Sequence, residues 1–104
     1  MKPDISIVVP AYEEEDRVGD SLRKILSYAE GLPIRSELVV VDDGSCDKTA
    51  EVARQVCSEF EGALTKVIRY ESNRGKGFAV KTGLLSAAAD IALFSDADLS
   101  TPIE

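Results

Sequence analysis

Four short apolar runs, each separated from the next by a stretch of helical period, limit what this chain can fold into more than any other feature. The first, Ile5-Ser6-Ile7-Val8-Val9, is rich in β-branched residues and bounded by Pro3 and Pro10, which predicts a buried strand that stops at the second proline. From Asp16 the period changes. Val18, Leu22, Ile25, Leu26 and Ala29 fall on one stripe of a helix, with Gly31 and Pro33 as its stop. Glu37 to Val41 reads as a second buried strand. A second helix, capped by Ser45 or Asp47, presents Ala50, Ala53, Val56, Cys57 and Phe60 before Gly62. Leu64 to Tyr70 alternates as a third strand. A third helix follows the turn Asn73-Arg74-Gly75-Lys76-Gly77 and runs through Val80, Leu84 and Ala87-Ala88, and Ile91 to Phe94 is the fourth strand.

The order β-α-β-α-β-α-β predicts an α/β fold with a parallel sheet, helices on both faces and the architecture of half a doubly wound, Rossmann-like domain. Such sheets bind ligands outside the carboxyl ends of their strands, where the strand order reverses. Pro10-Ala11-Tyr12-Glu13-Glu14, Asp42-Asp43-Gly44-Ser45, Asn73 to Gly77 and Asp96-Ala97-Asp98 all fall at those ends. Four unusual stretches therefore converge on one rim.

The chain has 104 residues, the low end of a single domain. It is 44% hydrophobic and 30% charged, the balance of an ordinary globular protein. Its longest apolar run is far short of a membrane span, and Met1-Lys2-Pro3-Asp4 lacks the apolar stretch of a signal peptide. A cytoplasmic protein, or one working at the cytoplasmic face of a membrane, is expected. The net charge of −7 argues against broad binding to nucleic acid. Lys66, Arg69, Arg74, Lys76 and Lys81 nonetheless cluster, which keeps an anionic ligand open. Cys46 and Cys57 lack metal-ligand spacing and there is no histidine, so both are read as free thiols.

Each rim motif has a plain reading beside a functional one. Asp96 and Asp98 suit a solvated turn, but carboxylates two apart at a strand end also suit a hard divalent cation shared with phosphate. Asp42-Asp43 serves either as a turn and helix cap or as an acid pair holding a base or ribose hydroxyls. Asn73 to Gly77 lacks the Walker spacing, yet two cations, two glycines and backbone N–H groups at a helix start suit a phosphate. Tyr12 is either packing or a ligand contact, and Glu13-Glu14-Glu15-Asp16 reads as a negative helix start.

Taken together, Val8-Val9-Pro10-Ala11-Tyr12-Glu13-Glu14, Val41-Asp42-Asp43-Gly44-Ser45-Cys46-Asp47-Lys48-Thr49, Asn73-Arg74-Gly75-Lys76-Gly77 and Asp96-Ala97-Asp98-Leu99-Ser100 resemble the N-terminal, nucleotide-binding half of a family 2 glycosyltransferase of GT-A fold. The branch it looks most like is that of the dolichyl-phosphate glucose and mannose synthases. The resemblance implies an inverting transferase with a UDP-glucose or GDP-mannose type donor and a polyprenyl or dolichyl phosphate acceptor, or else a polysaccharide or protein acceptor. It implies that Pro10, Ala11, Tyr12 and Glu14 line the nucleoside pocket, that Asp43 holds the base and that Asp42 supports its loop. Arg74 and Lys76 would lie near the diphosphate, with Asp96 and Asp98 holding Mg²⁺ or Mn²⁺ against it. Ser100 stands where lipid-phosphate members often carry glutamine.

The resemblance also implies that residues 1–104 are a truncated part of a catalytic domain, with any catalytic base beyond Glu104. Such a fragment is expected to be inactive and to self-associate through an unpaired sheet edge. Two other enzyme classes fit less well. A dinucleotide-binding dehydrogenase needs G-x-G-x-x-G where Pro10 to Glu14 stand, and a phosphate-receiving domain would carry its aspartates after the first strand. A non-catalytic nucleotide-binding module stays open.

Overall fold

A computed structural model of the chain describes residues 2–60 and 62–95. The expected Asp96, Asp98 and Ser100 positions lie outside these residues. The elements run β1 (Ile5–Ala11), α1 (Val18–Glu30), β2 (Ser36–Asp43), α2 (Thr49–Ser58), β3 (Leu64–Tyr70), α3 (Lys76–Ser86) and β4 (Ile91–Phe94). The four strands form one parallel sheet in the order β3-β2-β1-β4. The chain thus winds outward from β1 to β3 and then crosses to the other side of β1. The reversal between β1 and β4 is where doubly wound sheets open a crevice.

Two strands are longer than the sequence suggests. β1 continues through Pro10 to Ala11, pairing Pro10 with Val41 and Ala11 with Asp42. Proline is tolerated because backbone groups alternate in direction along a strand. Val8 accepts the Ser95 N–H from the β4 side, so the missing N–H of Pro10 faces that same side, past the last β1–β4 pair, Val8 with Phe94. β2 likewise continues through both aspartates, which pair with Arg69 and Tyr70 of β3. The acids therefore sit inside the sheet.

The helices divide between the faces. Val18, Leu22, Ile25 and Leu26 of α1, with Ala53, Val56 and Cys57 of α2, pack on Ile7, Val9, Ala11, Leu38 and Val40. On the opposite face Val8, Val39 and Val41 meet Ala79 of α3. Here the apolar periodicity misled: Leu84 and Leu85 of α3 are exposed, and its buried residues are Ala79 and Gly83. A Cβ on Gly83 would fall 2.3 Å from Val8 Cγ1, so α3 approaches the sheet through its smallest residues. Neither Ser45 nor Asp47 occupies the N-cap of α2, which begins at Thr49 after Lys48. Asp47 instead receives the Thr49 N–H two residues on, and the Ser45 hydroxyl receives the N–H of Glu13.

Candidate nucleotide site at the carboxyl rim

Asp42, Asp43, Ser45, Asp47 and Thr49, in the segment after β2's apolar run, are all engaged within the protein. Asp42 is fully buried. One of its oxygens accepts the Ser45 N–H at 3.0 Å, and the other lies 3.6 Å from Arg69 Nε and has no hydrogen bond among the described residues. Arg69 Nη2 donates to the Ser45 carbonyl at 3.1 Å. A buried carboxylate is tolerated when a cation and a donor compensate it, and the result here is a closed turn at Gly44 (φ 73).

Three side chains further along hold three consecutive backbone N–H groups of the first rim loop. Glu13 donates to Ser45 Oγ at 2.7 Å, Glu14 to Thr49 Oγ1 at 2.8 Å and Glu15 to Asp47 Oδ2 at 3.3 Å. Cys46 N–H returns a bond to Glu13 Oε2 at 3.4 Å. Burial pushes the Asp47 carboxyl up, but the Thr49 hydroxyl and N–H and the Glu15 N–H outweigh it and hold it below its ordinary range. Glu13 itself sits at φ 49, a left-handed conformation that costs a non-glycine residue roughly 1–3 kcal/mol unless its surroundings impose it. The clasp imposes it, and the loop carries Tyr12 at its base. Glu13 to Asp16 are therefore a gripped turn rather than a helix start.

Asp43 points to the opposite side and is also buried, at 3% exposure. Its Oδ1 accepts the Tyr70 hydroxyl at 2.6 Å and the Arg74 N–H at 2.9 Å, and its Oδ2 accepts Asn73 Nδ2 and the Gly75 N–H, each at 2.9 Å. Burial first, and then this carboxylate, hold the Tyr70 phenol above its ordinary range. Tyr70 meets Phe78 edge to face at 5.3 Å, and the Arg74 guanidinium lies 5.3 Å from the same Phe78 ring centroid. Lys76 Nζ lies 5.5 Å from the ring of Phe94, at the end of β4.

Between these loops opens a cleft of about 220 Å³, lined by Pro10, Ala11, Tyr12, Asp43, Asn73, Gly75, Lys76 and Ala79. The structure thus brings together Pro10, Ala11, Tyr12, Asp43 and Lys76 of the expected site. It places three others elsewhere. Glu14 turns its carboxylate onto the Tyr12 N–H at 3.2 Å and towards Arg17 at 3.5 Å, Asp42 faces Ser45 and Arg69, and Arg74 lies over Phe78. Tyr12 is half-exposed, and the neighbouring Glu13 carboxylate, ahead of its other surroundings, raises its phenol. Tyr70 and Thr49 have no assigned role in the sequence, Asn73 reads only as part of the phosphate-suited turn, and Ser45 and Asp47 are expected to cap α2 rather than to hold the first rim loop. A larger cavity, about 370 Å³, lies at the amino ends of the strands between Ile25, Leu38 and Leu64. It is remote from the four motifs, so the rim cleft is the better candidate.

Among the described residues no group of three or more histidine, cysteine, aspartate or glutamate side chains is arranged to hold a metal ion. Asp96 and Asp98, just past Ser95, offer hard carboxylate oxygens of the kind Mg²⁺ and Mn²⁺ prefer.

The cleft opens at the carboxyl ends of β1 and β2, beside the start of α3, the rim at which parallel α/β sheets bind their ligands. Residues 6–104 match the family model "Glycosyl transferase family 2". This chain belongs to that family. It is 39% identical over 102 residues to the human dolichyl-phosphate beta-glucosyltransferase, an alignment covering 93% of this chain and 32% of the relative. Among solved structures it resembles the mannosyltransferase PcManGT from Pyrobaculum calidifontis in complex with GDP-Man and Mn²⁺, with TM-score 0.82 and 30% identity over 94% of this chain and 28% of the other. It also resembles S. aureus TarS 1–349 in complex with UDP, with TM-score 0.79 and 29% identity over 91% of this chain and 27% of the other. The chain spans about a third of the length of the relatives it matches. As a member of this glycosyltransferase family it carries the parallel, Rossmann-like sheet of a GT-A fold, as its sequence predicts.

Proposed function

We propose that residues 1–104 form the donor-binding part of an inverting glycosyltransferase that moves a sugar from a nucleoside diphosphate to a polyprenyl phosphate, with a UDP-glucose or GDP-mannose type donor. The observation that carries this reading is the rim cleft, where Pro10, Ala11, Tyr12, Asp43 and Lys76 surround one opening at the carboxyl ends of β1 and β2. Tyr12 offers an aromatic face to a base, and Asp43 lines the same opening. Glu14 acts on the pocket by shaping the loop behind Tyr12, and Asp42 by closing the Gly44 turn. Lys76 lines the cleft and Arg74 stands beside it over Phe78; near the diphosphate, their charge would favour the leaving group as the sugar bond breaks. Asp96 and Asp98 would hold Mg²⁺ or Mn²⁺, which supplies further positive charge to the departing diphosphate.

A phosphate acceptor is already ionised and needs no strong base, which suits a rim whose two buried acids, Asp42 and Asp43, are tied up in the fold. The lipid acceptor is supported by the human relative's name; a polysaccharide or protein acceptor would demand a carboxylate base from elsewhere. The reading places the chain at the cytoplasmic face of a membrane, although no helix among the described residues is long and apolar enough to cross one. It also leaves β4 open to a second copy of the fragment.

Calorimetric titration with UDP, GDP and their sugar conjugates, with and without Mn²⁺, tests the donor site. Metal-dependent binding of one nucleotide that Asp98→Ala abolishes is the expected result. A folded chain, and a full-length protein, that bind neither nucleotide would overturn it.

A further inference from the structure

An ionised carboxylate has about four acceptor positions, and Asp43 uses four: the Tyr70 hydroxyl, the Asn73 amide and the backbone N–H groups of Arg74 and Gly75. Asn73 Nδ2 also donates to the Asp43 carbonyl at 3.2 Å. Two of these donors are consecutive amides leading into a glycine at φ 97, the concave arrangement that binds anions. The anion held here is the protein's own side chain, so these two amides are not the ones that face a ligand. They are what fixes the turn before α3, including the backbone of Arg74 and the start of the helix at Lys76.

We propose that Asp43, besides lining the nucleoside pocket, is the positioning residue for the phosphate side of the site: it ties the 73–75 turn to the end of β2 and thereby sets Arg74, Lys76 and the amino end of α3 against the donor's diphosphate. The inference rests on the donor-site reading above. It departs from a base-reading role in one testable respect. A residue that reads only the base affects a nucleoside and its diphosphate alike, whereas one that sets the turn affects the diphosphate more.

Asn73→Ala separates the two, because it loosens the turn while leaving the Asp43 carboxylate in place. Titrating wild type, Asp43→Asn and Asn73→Ala with UDP and uridine, and with GDP and guanosine, reads the diphosphate contribution as a ratio. Amide exchange of Gly75 by NMR reads the turn without any ligand. The proposal expects Gly75 to exchange at least about tenfold faster in Asp43→Asn. It expects Asn73→Ala to weaken the diphosphate several-fold more than the nucleoside. Unchanged Gly75 protection in Asp43→Asn, or an equal loss of nucleoside and diphosphate in Asn73→Ala, would overturn it. If Asp43→Asn fails to fold, Asn73→Ala alone decides. A wild-type chain that binds neither nucleotide while Asp43→Asn still frees Gly75 would overturn the donor reading and support the tie between Asp43 and the turn.

Discussion

β2 and β4 run parallel on either side of β1 and both lead into acidic pairs, yet β2 is buried from Glu37 to Asp43 whereas Ile91, Leu93 and Phe94 of β4 are 60%, 55% and 53% exposed. The contrast follows from position. β2 has a strand on each side and helices over both faces, so a polar group there must find its partners inside the protein. Its acids do so by reaching into neighbouring loops: Asp42 closes the Gly44 turn and Asp43 holds the turn before α3. β4 is an edge strand of the described sheet, with α3 lying over β1 and β2. What can be learned from the pair is that the acidic end of β2 organises the rim by being satisfied, while the strand that leads to the second pair keeps its large apolar side chains exposed.

The largest effect should come from the turn that β2 closes. A Cβ at Gly44 would lie 2.4 Å from the carbonyl carbon of Ser72, at φ 73. The obstacle is backbone that is itself pinned through Asn73 to Asp43, so nothing gives cheaply. Gly44→Ala should cost about 3 kcal/mol or more, read as a lowered urea midpoint. Gly75→Ala provides the comparison: φ 97 with ψ 158 is a conformation open essentially to glycine alone, but nothing lies within 4 Å of the added carbon, so only the backbone strain of roughly 1–3 kcal/mol should appear, with no clash added to it. Equal losses at the two glycines would remove the distinction between a packed and an open side of the rim.

Glu37, at the opposite end of β2, tests whether the same logic holds away from the site. Its Oε1 accepts the Ser6 hydroxyl at 2.7 Å and the Ala88 N–H at 2.9 Å, and Lys66 Nζ lies 3.0 Å from Oε2. Burial pushes this carboxyl up, but the Ala88 N–H, the Ser6 hydroxyl and the Lys66 ammonium together bring it below its ordinary value of 4.5. A carboxyl with a lower pKa folded than unfolded adds stability above the unfolded value and loses it as pH falls through the folded one. Glu37→Gln should therefore cost roughly 1–3 kcal/mol at pH 7 and flatten the loss of stability below about pH 4.5. An unchanged acid limb in the variant would assign that loss to other carboxyls.

Much of this was legible in the chain itself, because period-2 and period-3.6 runs alternate cleanly and a parallel sheet follows from the alternation. All seven elements, and the arrival of the Pro10 to Glu14, Asp42 to Ser45 and Asn73 to Gly77 stretches at one rim, follow from that pattern; which of their residues line a pocket is implied by the family resemblance alone. The orientation of α3 does not, since Gly83 contributes no hydrophobic signal and is buried because it is small. Nor do the partners of Ser45, Asp47 and Thr49: a hydroxyl or carboxylate near a helix start signals a cap, and only tertiary structure shows three consecutive amides of another loop arriving in its place. Glu14 was legible as a rim residue but not as a group turned back onto its own loop, whereas Asp42 was expected to support its loop, as its bond to the Ser45 N–H does. In a strand, one position of register reverses the face.

Tyr12 carries a smaller effect on the packed side. It is 44% exposed and its loop is held by backbone bonds, so Tyr12→Ala should change stability by no more than about 0.5 kcal/mol. If it stacks on a base, nucleotide affinity should fall by about 0.5–1.5 kcal/mol, measured by the same titration. Loss of stability with intact affinity would make Tyr12 packing rather than a ligand contact.

The smallest effect on stability belongs to the open side, and it concerns association. Ile91 and Leu93 are two apart, share one face of β4 and are both more than half exposed, a flat apolar edge of the kind that pairs with another chain. Light scattering on the 104-residue chain should show an average mass that rises with concentration. Ile91→Lys should suppress that rise while changing stability by about 0.5 kcal/mol or less, because the side chain leaves little contact behind and a lysine blocks edge pairing. A wild-type chain that stays monomeric at every concentration would mean that this edge is guarded as it stands. The difference between β2 and β4 would then lie in what each strand binds within its own chain, with no consequence for how copies meet.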